Sequence, residues 1–207
     1  MTPRRPRRGG LSRRVSKQEI KRELLVFTEG RLTEPGYLVY WHREHRRRVS
    51  VEISEFHGGP LQLVKKAAEA KAIGARDQKR GRGRAWDEIW CVFDVDVHPD
   101  LPEALQIAGA GGIRVAVSNP CIELWFLLHF RDQTAFIDRK DAQRRCRTEL
   151  ACDKELTEEA LSRLAASYSQ ARRRAIALDE KHEGDGSPPL SNPSSSVWEL
   201  VDAICGS

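Results

Sequence analysis

Residues 88–98 read EIWCVFDVDVH. From Ile89 to Phe93 the side chains are strand-formers with no polar break, and the run ends in Asp94, Val95 and Asp96. A short unbroken apolar run bounded by turn residues reads as a strand buried on both faces, the kind found in parallel sheets. Residues i and i+2 of a strand point the same way, so Asp94 and Asp96 project from one face at or just past its carboxyl end. In open α/β sheets that edge is where ligands bind. An Asp at a strand end also has a plain structural reading, because Asp favours turns.

Outward from this strand the chain repeats one pattern. LLVFTEG (24–30) is a second buried run, ending in Thr28, Glu29 and a glycine turn. Thr33 is expected to cap the helix after it, with Glu34 and Pro35 in the first turn and Tyr37, Leu38 and Trp41 on one face. Val49, Val51 and Ile53 alternate as a strand, and a helix starts near Pro60 and gives way to a basic loop over 76–84. Pro99 and Pro102 open another helix, and IRVAVS (113–118) is the fourth strand. Strand followed by helix four times over predicts an α/β fold: a parallel four-stranded sheet with helices on both faces. In SNPCIELWFLLHF (118–130), Asn119 is expected to cap a buried helix with Pro120 at its first position and Glu123 as its one acid.

Beyond residue 131 the pattern turns helical. Residues 139–150 fit a short basic helix, and Thr157 caps a long one carrying the stripe Leu161, Leu164, Tyr168, Ala171, Ala175, Leu178. SSSVWELVDAI closes the chain as a last helix. The expected division is a basic tail (1–22), an α/β domain (23–130) and a helical extension packed on it (131–207). The tripeptide SNP occurs at 118–120 and 191–193, and reads as repeated capping chemistry.

Charge is unevenly spread. Residues 1–22 hold nine Lys/Arg against Glu19, leaving 26 basic and 29 acidic residues in the remainder of a chain whose formal charge is +5. Such an arm suits phosphate contacts that do not read sequence, or is simply a solvated tail. No apolar run reaches the ~20 residues that cross a bilayer, and the amino terminus lacks the apolar stretch of a secretory signal. Five cysteines without zinc-like spacing read as reduced thiols, so a cytoplasmic protein is expected.

Glu29 ends strand one as Asp94 ends strand three. If those strands are neighbours, Glu29, Asp94 and Asp96 converge, and three close carboxylates need a compensating cation. Mg²⁺ (or Mn²⁺) suits such a site: it takes one or two carboxylates and keeps waters or phosphate oxygens. Glu123 and Asn119 stand as a second tier. The basic segments Arg46, Arg47, Arg48 and Lys79, Arg80, Arg82, Arg84 are expected to hold a nucleic-acid backbone. His98 reads as a turn residue.

VFTEGRLTEPGYL (26–38), VFDVDVH (92–98), SNPCIELWFLLHF (118–130) and NPSSSVWELV (192–201) together resemble the RloB-like family, over about residues 22–205. The resemblance implies a Toprim fold, Rossmann-like, with strand order 2-1-3-4. It implies that Glu29 is a general acid/base and that Asp94 and Asp96 hold Mg²⁺. It also implies an anti-phage, abortive-infection effector acting on RNA, tRNA or DNA, partnered by an ABC- or AAA-type ATPase encoded nearby. The arginine-rich tail is no part of the family pattern.

Three functions follow: a Toprim-type metal-dependent nuclease, a non-catalytic Toprim scaffold that binds nucleic acid or an ATPase, and a haloacid-dehalogenase-type phosphatase. The last matches FDVDV, but its motif belongs on the first strand, and here it lies on the third.

Overall fold

The computed structural model describes residues 21–83, 85–95 and 98–206. The basic tail over 1–20, Arg84 and Asp96 therefore lie outside the described residues. The chain forms an α/β fold with a mostly parallel five-stranded sheet and, among the described residues, eight helices. β1 (Arg22–Thr28), β2 (Val49–Ile53), β3 (Glu88–Asp94) and β4 (Arg114–Asn119) are parallel. β5 (Ser194–Ser195) pairs antiparallel to β4. The order is β2-β1-β3-β4-β5, so β1 and β3 are neighbours, with Thr28 beside Val92.

Strand alternation explains the unbroken apolar runs. Leu24, Val26, Trp90 and Val92 face one side, while Leu25, Phe27, Ile89, Cys91 and Phe93 face the other. The second side is covered by α2 (Pro60–Lys79) and α3 (Leu101–Gly111), which bring Leu63, Val64, Ala67, Ala104 and Ala108. The first side is covered by α1 (Thr33–His45) and α4 (Ile122–Leu128). The same core continues into α5 (Arg139–Leu150), α6 (Glu158–Ala166), α7 (Tyr168–Gly184) and α8 (Val197–Cys205). Trp90 and Trp125 are fully buried in it, and Trp41, on the α1 face with Tyr37 and Leu38, is buried with them. Trp125 Nε1 donates to the Tyr37 hydroxyl at 2.9 Å, so α4 is tied to α1 through two otherwise costly polar atoms.

Several local expectations are corrected. A fifth strand joins the expected four. The long C-terminal helix is two, broken at Ser167, although Thr157 does cap the first of them through Ala160 N at 3.2 Å. Residues 76–79, expected as loop, complete α2. Thr33 caps nothing and donates instead to Lys154 O at 2.8 Å.

Asn119 is no cap either, since α4 begins at Ile122. The two SNP tripeptides meet where Asn192 Nδ2 donates to Asn119 Oδ1 at 3.2 Å, beside the β4–β5 ladder in which Ser118 pairs with Ser195. Asn119 donates in turn to Leu190 O. Their shared chemistry is a cross-strand clasp, because the fold brings both turns to the same corner of the sheet. All five cysteines are free, and no described helix is long and apolar enough to cross a membrane.

Candidate functional site: a carboxylate cluster at the sheet's carboxyl edge

Strand pairing places Glu29 and Asp94 side by side. Glu29 extends the β1 ladder, its N–H donating to Val92 O at 3.0 Å, and its Oε2 accepts the Asp94 N–H at 3.2 Å. Asp94 is 6% exposed. It shares the strand face of Trp90 and Val92, so its side chain meets the start of α4. Oδ1 accepts the Ile122 N–H at 2.9 Å, and Oδ2 lies 3.2 Å from Arg139 Nη2 on α5.

Two more acids join them. Glu34, 7% exposed, folds back so that its Oε1 accepts the Gly30 N–H at 3.0 Å. A side chain on Gly30 would collide with that carboxylate, so the glycine of TEG is what lets Glu34 turn inward. Glu123, in the first turn of α4, acts electrostatically on both Glu34 and Asp94. Burial, then the charge of Glu34, pushes the Asp94 carboxyl up to about 8. Arg139 pulls the other way and is outweighed, while Glu123 and Glu29 push it further up. Burial also raises Glu34, against hydrogen bonds from its own N–H and that of Gly30.

Histidines flank the edge. His57 Nδ1 donates to Thr28 O at 3.0 Å. His98 is more than a turn residue: its Nε2 stands 3.6 Å from Glu29 Oε1, shielded from solvent and without a hydrogen-bond partner.

The donor set suits a hard divalent cation. It offers only carboxylate oxygens at its centre, and burial, with like charge behind it, raises the proton affinity of the Asp94 and Glu34 carboxyls. Among the described residues, no three His, Cys, Asp or Glu side chains are grouped closely enough to hold a metal by themselves. Asp96, two residues beyond Asp94, lies outside the described residues.

A family model described as RloB-like protein matches residues 24–204. The chain belongs to the RloB-like family. No curated protein matches it. The match runs from the first core residue of β1 into the last turn of α8, so the helices after residue 130 belong to the family as much as the sheet does.

The sequence-predicted residues fall into two groups. Glu29, Asp94 and Glu123 come together, and Asn119 lies at the neighbouring corner, engaged with Asn192 and Leu190. The basic segments do not join them. Arg46, Arg47 and Arg48 follow α1 and lead into β2, and Arg22 N donates to Arg48 O at the start of β1. Lys79, Arg80 and Arg82 end α2 ahead of β3. All six sit at the amino edge of the sheet, roughly 20 Å of strand away from the carboxylates at ~3.3 Å per residue. Described cations nearer the carboxyl edge include Arg139, its chain neighbour Lys140, and Arg31 just after Gly30.

Sequence reasoning missed Glu34 and Arg139. Glu34 looked like an ordinary first-turn acid, and its one signal was its place five residues after Glu29 across a glycine turn. Arg139 carried no signal, because 45 residues separate it from the Asp94 it meets.

Proposed function

We propose that this RloB-like protein is a divalent-metal-dependent nuclease of Toprim type that cleaves phosphodiesters in RNA, tRNA included, or in DNA. The observation that carries this reading is the convergence of Glu29 and Asp94, with Glu34 and Glu123 behind them, at the carboxyl edge of adjacent parallel strands. The order of the four parallel strands is the one the Toprim resemblance implies. Glu29, Asp94 and Asp96 are the residues to hold the metal. Held there, Mg²⁺ or Mn²⁺ would supply Lewis-acid chemistry toward a phosphoryl oxygen and a water.

The chain's own groups do the rest. Glu29 is oriented by the Asp94 N–H through one oxygen, and its other oxygen, beside His98, is left to move a proton to or from the reacting centre. Asp94 is held in place by the first N–H of α4. Arg139 contacts one Asp94 oxygen in the free protein and would be placed to pair with a substrate phosphate once a metal takes that oxygen. In this reading the chain is the effector of an anti-phage system, working with an ATPase partner in the cytoplasm.

A second reading, a Toprim scaffold that binds without cutting, draws on one observation. Both Asp94 oxygens are already engaged, one by Ile122 N–H and one by Arg139. Calorimetric titration of Mn²⁺ and Mg²⁺, with and without a short single-stranded RNA or DNA, separates the two. The nuclease reading expects binding that Asp94→Asn abolishes with the circular dichroism unchanged. It also expects Mn²⁺-dependent cleavage of one of the nucleic acids. No metal binding under either condition leaves the scaffold.

A further inference from the structure

The outer edge of β4 is only partly covered. β5 pairs with Ser118 and Asn119 alone. One step further, Ser196 closes on Val117: its N–H donates to Val117 O at 2.9 Å, and its Oγ accepts the Val117 N–H at 3.0 Å. Ser118 O receives the Val95 N–H, which turns alternate residues toward β3 and leaves Val115 and Val117 facing outward. Among the described residues no hydrogen bond reaches the Val115 backbone on that side. An unpaired strand edge of this kind is a template for another strand.

That edge forms the floor of a cleft of about 670 Å³. Leu105 and Pro189 give it apolar walls, and Asp179 and Glu183 of α7 line it together with Glu199 of α8. The one arginine present, Arg114, is already taken: it pairs with Glu199 at 3.4 Å and Glu88 at 3.8 Å, and covers the Trp90 ring. Asp179 has neither a hydrogen bond nor an ion pair among the described residues, and burial, then Glu199, pushes its carboxyl up to about 6. Ser194, 3% exposed, lines the cleft with an Oγ that has no partner. An open backbone edge beside the solvent-exposed carboxylates of Asp179 and Glu183 offers two things at once, a main chain to pair with and partners for a cation.

We propose that this cleft binds an extended basic segment of a partner protein, which adds as a strand to β4 at Val115 and places a Lys or Arg side chain against Asp179 and Glu183. Main-chain pairing gives affinity in such complexes, and the side-chain pockets give selectivity. The segment is recognised by charge complementarity, because Asp179, Glu183 and Glu199 face one already engaged arginine and His182, whose Nε2 is taken by Pro193 O. The cleft shares no residue with the carboxylate cluster, so the inference is independent of the nuclease reading.

The test uses the full-length chain and a fluorescein-labelled decapeptide of alternating Arg and Val, followed by anisotropy. A Glu/Val counterpart and an Arg/Val peptide N-methylated at alternate residues serve as controls. Expected is saturable binding of the first peptide alone, weakened at least tenfold in an Asp179→Asn, Glu183→Gln double variant of unchanged circular dichroism. Absence of saturable binding overturns the proposal, as does binding that survives both the double variant and N-methylation. If the peptide binds only after Arg4, Arg5, Arg7 and Arg8 are replaced by Ser in the full chain, the occupant is the chain's own basic tail, and the partner assignment falls. It falls equally if sedimentation finds a dimer that the peptide dissociates, which makes the occupant a second copy.

Discussion

At the amino end of the sheet, Glu88 is surrounded by donors. It pairs with Arg22, approaches Arg114 at 3.8 Å and accepts the Trp90 Nε1–H at 2.8 Å. Asp87 accepts the Glu23 N–H at 2.8 Å. At the carboxyl end, Asp94 and Glu34 are more deeply buried, are pressed by Glu29 and Glu123, and share one arginine, Arg139, on Asp94. The two ends draw on the same residue types. The amino end matches each acid to donors on neighbouring strands, which is how a fold settles its charges. The carboxyl end accumulates like charge in a desolvated place, which costs stability unless something else binds there. Unmatched charge, more than the presence of acids, marks the functional edge.

The strongest test of that contrast is Asp94→Asn. Asn keeps an oxygen for the Ile122 N–H and removes the most crowded charge. Cleavage is expected to fall at least ~100-fold, in the range seen when a group acting on the transition-state charge is removed. The thermal midpoint is expected to stay at or above that of wild type. A large loss of stability would mean that the Arg139 pair holds the fold together, and would erase the distinction between the two ends.

Burial as the leading cause, with the like charge of Arg174 only behind it, is sampled by His129. It is enclosed by α4, hydrogen-bonds Trp125 O through Nδ1, and has its ring pushed down to about 4 by burial. Its unfolded counterpart titrates near 6.5. Between those values the unfolded chain binds more protons than the folded one, so stability present above pH ~6.5 is lost as pH falls toward 4. The loss amounts to about 3 kcal/mol at most. Urea midpoints measured from pH 7 to 4.5 are expected to fall more steeply for wild type than for His129→Phe. Equal slopes would show that burial at this site costs nothing in acid.

A smaller effect is expected from Arg139→Gln. Removing the cation that shares Asp94 is expected to tighten Mn²⁺ binding several-fold, about 1 kcal/mol, in calorimetry without nucleic acid. The same variant is expected to cut more slowly, because the phosphate loses a partner. Weaker metal binding would mean that Arg139 organises the carboxylates instead of competing for them.

The sheet was legible because its strands are covered on both faces and so spell unbroken apolar runs. Glu29 and Asp94 were legible because each closes such a run. β5 was not, since two serines carry no strand pattern and pair only because Asn119 and Asn192 bring their turns together. The break between α6 and α7 was hidden by an apolar stripe that runs through Ser167 without interruption. Glu34 and Arg139 needed three-dimensional knowledge: a glycine turn that folds one acid inward, and a helix start delivered from far along the chain. The distance of the basic segments from the carboxylates has another cause. Charge runs show composition and not position, whereas a helix that precedes a parallel strand must end at the amino edge. That topology puts Arg46–Arg48 and Lys79–Arg82 away from the carboxylates.

The last consequence is the smallest in size and bears on the same two ends. Replacing Arg46, Arg47 and Arg48 by Ser is expected to change cleavage of a short oligonucleotide by less than about twofold at physiological salt. They lie roughly 20 Å from the cluster, and charge is screened over ~8 Å under those conditions. Replacing Arg31 and Lys140, at the carboxyl edge, is expected to weaken oligonucleotide binding more and to flatten its salt dependence, by about one unit of slope for each phosphate no longer neutralised. The comparison is read from log–log plots of binding against salt for the two variants. If the amino-edge variant proves the weaker binder, the nucleic acid must run along the outside of the sheet from one end to the other. The basic segments would then position a long substrate whose cleaved phosphate still lies among Glu29, Asp94 and their neighbours.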